Sequence, residues 1–156
     1  ASFSAGEIGH MCVLPQGPLC SCGKHGCLEA LSAGPAMVRF VRDRLSKGHP
    51  CLLKKTADLT PETVCNAARI GDKLCNNAIG RSARYLGIAI ANLIHLLSPD
   101  IIAIGGGISE AGNLLYNPIL ESAREHALED MFNSTKILLA KLRNDAGSIG
   151  AAFLVL

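Results

Sequence analysis

The stretch Gly6–Glu29, GEIGHMCVLPQGPLCSCGKHGCLE, governs the reading of this 156-residue chain. One histidine and three cysteines crowd into it: His10, Cys20, Cys22 and Cys27. Neutral imidazole nitrogen and thiolate sulfur suit Zn²⁺, which takes four such ligands in a tetrahedron. Gly23 and Gly26 stand between the last two cysteines, where a knuckle must bend around an ion. As a spacing, H-x₉-C-x-C-x₄-C is compact but is not that of a standard finger, and buried thiols in a glycine-rich turn would read the same way. Glu7 and Glu29 bracket the cluster. An isolated Glu is most simply a solvated charge. Three thiolates already supply a zinc ion with negative charge, so these two carboxylates suit another task. Each accepts two hydroxyl hydrogen bonds at once, which fits a small polar substrate held beside the knuckle.

The composition bounds the alternatives. Nearly half the residues are hydrophobic (49%), enough for one domain with a core and too many for disorder. Net charge is only +2, which gives no electrostatic reason to expect nucleic acid as the main partner of this segment. Trp is absent and aromatics make up 4%, so a ligand here is read by hydrogen bonds rather than by stacking. Seven cysteines is an odd number, and no signal peptide opens the chain. Cys12, Cys51, Cys65 and Cys75 lie in apolar surroundings, as small buried residues do. The core is too large and aliphatic for a disulfide-stapled secreted scaffold, and a reducing cytoplasm fits better. The apolar run Tyr85–Leu97 is interrupted by Asn92 and His95 and is too short for a membrane span.

Helices alternate with short buried strands, which indicates an α/β domain. MCVL at Met11–Leu14 reads as a strand ended by Pro15. Residues 29–47 carry apolar positions at helical spacing, broken by Gly34-Pro35. A helix starts at Thr60-Pro61-Glu62, with Thr as N-cap and Pro in the first helical position. A long Ala/Ile/Leu-rich helix runs from about Asp72 to Leu97, stopped by Ser98-Pro99. IIAI (101–104) reads as a buried strand ending in Gly105-Gly106-Gly107, followed by a helix over about 118–128, a strand over 136–140 and a terminal helix from Ser148. A strand running into glycines lets backbone amides approach a nucleotide, although such a turn is often purely geometric, and Glu110 breaks the dinucleotide G-x-G-x-x-G pattern. Arg39, Arg42 and Arg44 make a basic helix face, most simply a solvated one.

GEIGH followed by CSCGKHGCLE resembles the signature of the ROK family of repressors, open reading frames and kinases: E-x-G-H, then C-x-C-G-x-x-G-C-x-E, with every fixed position matched. The resemblance implies the C-terminal lobe of a two-lobed, actin-like (ribonuclease H-like) sugar kinase. It also implies a structural zinc held in a knuckle over residues 10–27 by His10, Cys20, Cys22 and Cys27. Four protein ligands leave no open position for water, so such an ion is not a Lewis acid. By the same resemblance Glu7, His10 and Glu29 contact a sugar, and Gly105, Gly106 and Gly107 form the nucleotide-side loop of an Mg-ATP site.

The resemblance implies a cytoplasmic, homodimeric sugar kinase, with glucose the first expected substrate and N-acetylmannosamine the second. The competing expectation is a sugar-sensing repressor with its helix-turn-helix upstream. The family's catalytic Asp (in N-D-A-N) and its phosphate-binding loops (D-x-G-x-T and G-T-G-x-G) do not occur here, and Asn144-Asp145-Ala146-Gly147 echoes the former only superficially. The N-terminal lobe is therefore expected outside this chain, and the 156 residues alone are expected to bind zinc but not to catalyse.

Overall fold

The computed structural model describes residues 6–53, 59–141 and 146–153. Their order is a 3₁₀ turn at Ile8–His10, then the helices α1 (Leu28–Ser32), α2 (Gly34–Ser46), α3 (Pro61–Arg69) and α4 (Lys73–Leu97). Strand β1 (Ile101–Ile104) and a 3₁₀ turn at Gly107–Ala111 come next. Helices α5 (Asn113–His126) and α6 (Glu129–Ser134), strand β2 (Lys136–Leu139) and helix α7 (Ala146–Phe153) complete it. The two strands pair in parallel, Ile101 opposite Lys136 and Ile104 opposite Leu139. A parallel pair needs a long crossover, and α5 and α6 supply it. The chain is therefore α/β, as its alternation predicts.

Helix α4 is buried on more than one face, which is why its sequence is apolar all round. Ile79, Ala83, Ile90 and Ile94 are almost wholly buried, and α1, α2, α3, α5 and α6 all pack against it. Asp72 caps its start by accepting from Cys75 N–H at 2.8 Å, and also accepts from Leu52 N–H at 2.5 Å. Burial opposes ionisation of Asp72, but these two donors prevail and hold its carboxyl below the usual range. The helix stops at Ser98, whose left-handed φ of 44° turns the chain into Pro99.

The α4–α5 contact is the closest in the core. A β-carbon on Gly87 would lie 2.5 Å from Ser122 Cβ, and Ser122 Oγ donates to Arg84 O at 2.8 Å. Leu115, Ile119 and Ala123 extend the same face of α5, all fully buried. Tyr116 Oη donates to Ile137 O at 2.6 Å and ties α5 to β2.

Most expected elements are present, with three differences. Met11–Leu14 is not a strand: Cys12 makes only an isolated antiparallel bridge to Cys27. Helix α5 starts five residues before Pro118, which sits inside it, and the short helix α6 was not foreseen. The basic face on α2 is only partly solvated. Arg39 donates to Ala30 O at 3.0 Å and Arg44 lies 5.2 Å from the Phe40 ring centre. Among the four remaining cysteines Cys65 and Cys75 are buried, Cys51 is half-buried and Cys12 is exposed. Residues 142–145, with Asn144 and Asp145, lie outside the described residues.

Gly87→Ala is expected to lower stability. Ala gains about 1 kcal/mol over Gly in a helix, but overpacking a filled core costs about 1–3 kcal/mol. A fall in the urea midpoint at constant slope is the expected result, and a rise would refute the contact.

Candidate functional site

The knuckle is folded by backbone hydrogen bonds rather than by a hydrophobic core. Val13 N–H and Leu14 N–H both donate to Gly26 O (2.9 and 3.3 Å), Gly26 N–H to Pro18 O (3.0 Å) and Leu28 N–H to Met11 O (2.9 Å). Cys20 N–H donates to Lys24 O at 2.8 Å, closing the tight loop between the cysteines. Gly26 has φ +74°, and a β-carbon there would stand 1.6 Å from Leu14 O. No side chain fits. Gly17 is similarly crowded, 2.8 Å from Gly26 Cα by the same construction. His25, which the sequence leaves without a task, donates from Nδ1 to Gly17 O at 3.0 Å. Asn92 of α4 donates to Met11 Sδ at 3.6 Å and links the knuckle to the core.

This backbone brings four ligand atoms together. One each from His10, Cys20, Cys22 and Cys27 lie within 4.8 Å of one another. Cys20 Sγ is 3.7 Å from His10 Nδ1, and Cys22 Sγ is 3.6 Å from Cys27 Sγ. A tetrahedral ion with metal–sulfur bonds of about 2.3 Å separates its sulfurs by about 3.8 Å, so the cluster has the dimensions of a zinc cage. The thiols are electrostatically unlike. The backbone N–H of Cys22, helped by Ser21 and His10, outweighs burial and lowers Cys20 to about 7. Burial, then proton sharing with Cys22 and Cys20, pushes Cys27 up to about 12. A bound cation would replace those shared protons.

The two glutamates converge on the same place. His10 directs Nδ1 at the sulfurs, and its Nε2 lies 3.9 Å from Glu7 Oε2. Glu29, in the first turn of α1, accepts from Ser21 Oγ at 2.9 Å and has Cys20 Sγ 3.8 Å from the same oxygen, Oε1. Gly9 faces the other side of Glu29: a β-carbon there would lie 3.9 Å from Oε2. Ser21 is a site residue that sequence reasoning missed, and nothing in the motif marks it. Glu7, His10 and Glu29 are exposed, open to a ligand beside the cluster.

Of the three glycines after β1, Gly107 reaches a cavity. It shares a wall of a 380 Å³ cavity with Thr60, Glu62, Asn66 and Arg69 from the start and outer face of α3, and with Glu110. Gly106 takes φ +87°, and its carbonyl accepts from Ser109 Oγ at 2.6 Å. Arg69 donates to Asn66 Oδ1 and to Glu110 O, both at 2.6 Å, bracing α3 against the glycine turn. The α3 wall was legible only in part: the Thr60 cap places the helix start, but its docking against residues 107–110 is tertiary.

The ROK family model matches residues 2–156. The chain belongs to the ROK family. It is 37% identical over 154 residues to a glucokinase of Thermotoga maritima, covering 96% of this chain and 48% of that protein. The DNA-binding transcriptional dual regulator NagC of Escherichia coli is 36% identical, with 97% of this chain and 37% of the regulator covered. A Streptomyces griseus ROK glucokinase, solved with glucose and AMPPNP, superposes with a TM-score of 0.85 at 33% identity, over 96% of this chain and 51% of that one. A ROK transcriptional regulator, homologue of the E. coli MLC protein, also gives a TM-score of 0.85, at 36% identity over 96% and 38%. The chain thus has the ROK sugar-kinase fold of the actin-like ATPase superfamily and spans about half the length of its glucokinase relatives. Among the described residues no helix is long and apolar enough to cross a membrane.

Gly26→Ala is expected to open the knuckle. Cys20 and Cys27 are almost fully buried in the native protein. The number of thiols reacting rapidly with Ellman's reagent without denaturant should rise by two in the variant, while far-ultraviolet circular dichroism is retained. An unchanged count would show that the loop tolerates the β-carbon.

Proposed function

We propose that this chain is the C-terminal lobe of an ATP-dependent sugar kinase acting on a hexose, glucose first and N-acetylmannosamine second. The observation that carries the reading is the convergence of Glu7, His10 and Glu29 on one open face of the four-ligand cluster. In this reading zinc sits between His10 Nδ1 and the sulfurs of Cys20, Cys22 and Cys27, and holds the imidazole in place. The ring's Nε2–H then donates to a sugar hydroxyl, and the two carboxylates accept from others. The zinc is structural. Catalysis rests on positioning, with the sugar presented to a base and a γ-phosphate held by residues outside this chain.

The cavity beside Gly107 serves as the adenosine side of the Mg-ATP site, with α3 as its far wall. Exposed Leu96, Leu97, Ile101 and Leu138, on the end of α4 and on a sheet that has two strands among the described residues, suit packing against the rest of a longer protein. Homodimerisation in the cytoplasm belongs to the same proposal.

A second reading is a sugar-sensing repressor, favoured by the regulators' equal structural similarity. The sugar contacts would then serve as a sensor. The nucleotide-side cavity supports the kinase.

The deciding experiment measures ADP release by the full-length, zinc-loaded protein with Mg-ATP and glucose, N-acetylmannosamine, fructose or no sugar. Turnover with glucose is expected. Failure with every sugar, from folded protein, would transfer the proposal to the repressor. Glu29→Gln should raise KM for the sugar about tenfold to a hundredfold, since a hydrogen bond to a charged group contributes about 1.5–3 kcal/mol and 1.4 kcal/mol is tenfold. Zinc content should be unchanged in that variant. Loss of zinc from Glu29→Gln would instead make Glu29 part of the metal site.

A further inference from the structure

A second group of soft donors lies at the start of α4, outside the knuckle. Cys51 and Cys75, 24 residues apart, have their sulfurs 3.8 Å from each other. Asp72 joins them: ligand atoms of Cys51, Asp72 and Cys75 all fall within 4.8 Å. Cys75 and Asp72 are buried, and Cys51 is half-buried, which leaves one approach from solvent.

We propose that Cys51, Asp72 and Cys75 form a second metal site, for a thiophilic divalent cation such as zinc. The 3.8 Å separation is the one that a tetrahedral ion with metal–sulfur bonds of about 2.3 Å imposes, but two sulfurs in simple contact stand about as far apart, so the spacing alone decides nothing. Three further features point to an ion. A carboxylate is the third donor, so two thiolates and one Asp would gather three negative charges on one side of a divalent ion. Burial raises both thiols, and two features of the surroundings work the other way. Leu53 N–H donates to Cys51 Sγ at 3.4 Å, the kind of outer contact that supports a ligating thiolate. The whole group also sits at the N-terminus of a 25-residue helix, where the aligned peptide dipoles favour negative charge.

Asp72 keeps both of its backbone donors in this arrangement, because each carboxylate oxygen has a lone pair left over. Binding releases the two thiol protons to solvent, and water takes the fourth position on the half-buried Cys51 side. The ion would pin the segment at Cys51–Leu53 onto the N-terminus of α4. Unlike the closed knuckle, a site with three protein donors and one water is open to exchange. The inference does not depend on the knuckle or on the kinase reading.

The test compares metal content in the reduced, metal-stripped full-length protein and its Cys51→Ser variant, after equilibrium dialysis against buffered zinc. The wild type should hold one equivalent more than the variant, whatever number the knuckle contributes. With cobalt in place of zinc, the sulfur-to-metal charge-transfer band should fall in Cys51→Ser and persist in part. Equal counts in the two proteins would overturn the site. Should Cys51→Ser not fold, alkylation of the wild type decides: zinc should slow iodoacetamide labelling of Cys51 at least tenfold. Labelling that zinc does not change would overturn it, as would recovery of Cys51 and Cys75 as a disulfide-linked peptide pair from the zinc-dialysed protein.

Discussion

Helices α1 and α3, which carry candidate functional residues, are both held in place by their contact with α4. Helix α1 presents Glu29 and packs on α4, with Ser82 Oγ donating to the carbonyl of Ser32 at the end of α1. Helix α3 supplies one wall of the cavity beside Gly107 and packs on α4 as well. The knuckle touches it through Asn92 and Met11. A helix so placed must be apolar on several faces and must contain small residues wherever a neighbour comes close. Gly87 against Ser122 is the sharpest instance, because any side chain there would push α5 away and take β1 and β2 with it. The two candidate sites therefore share one mechanical support, although neither has a residue on that helix.

The knuckle reaches its geometry by a different route. Residues 10–27 bury little apolar surface beyond Cys20 and Cys27, which pack on Ala30 of α1, so hydrophobic burial does not fold the loop. Backbone pairing around Gly26 does, and it works only because two glycines and the Leu14 carbonyl can approach within contact distance. That crossing brings the sulfurs of Cys20, Cys22 and Cys27 together, with Cys20 and Cys27 buried and Cys22 exposed. In the proposed reading a metal ion would add to this what the small core lacks, because its ligands must be ordered to bind it and ordering them is folding.

Much of this was legible in the sequence, for physical reasons that differ from element to element. Helix α3 announces itself by Thr60 and Pro61, since capping and a fixed φ are local. Helix α4 was readable from its length and its stop at Ser98-Pro99. The start of α5 was not. Pro118 reads as a first helical position, but Leu115 and Ile119 lie one turn apart on a single buried stripe. Burying Leu115 draws the helix back past the proline. Met11–Leu14 has the composition of a strand but is used for isolated pairing with the knuckle, a tertiary outcome that alternation does not encode. The family motif marks Glu7, His10 and Glu29, whereas Ser21 and the docking of α3 against residues 107–110 depend on which loops meet, which the pattern does not encode.

Ser21 bears on how the proposed sugar site would work. An exposed carboxylate on a short helix has freedom to rotate, and a ligand that must freeze it loses binding energy to that ordering. Ser21 Oγ holds one oxygen of Glu29 beforehand, and Cys20 stands against the same oxygen. The second oxygen is left on the side of Gly9, where the missing β-carbon keeps it uncovered. Glu7 is set differently, against His10 Nε2 at 3.9 Å and largely in solvent. One acid is thus pre-ordered through the knuckle and the other is adaptable. In the proposed reading Glu29 fixes the sugar ring and Glu7 closes on it. Positioning of that kind raises a reaction rate only if the fixed group belongs to the rigid part of the site, and Glu29, tied at once to α1 and to the cysteine loop, meets that condition.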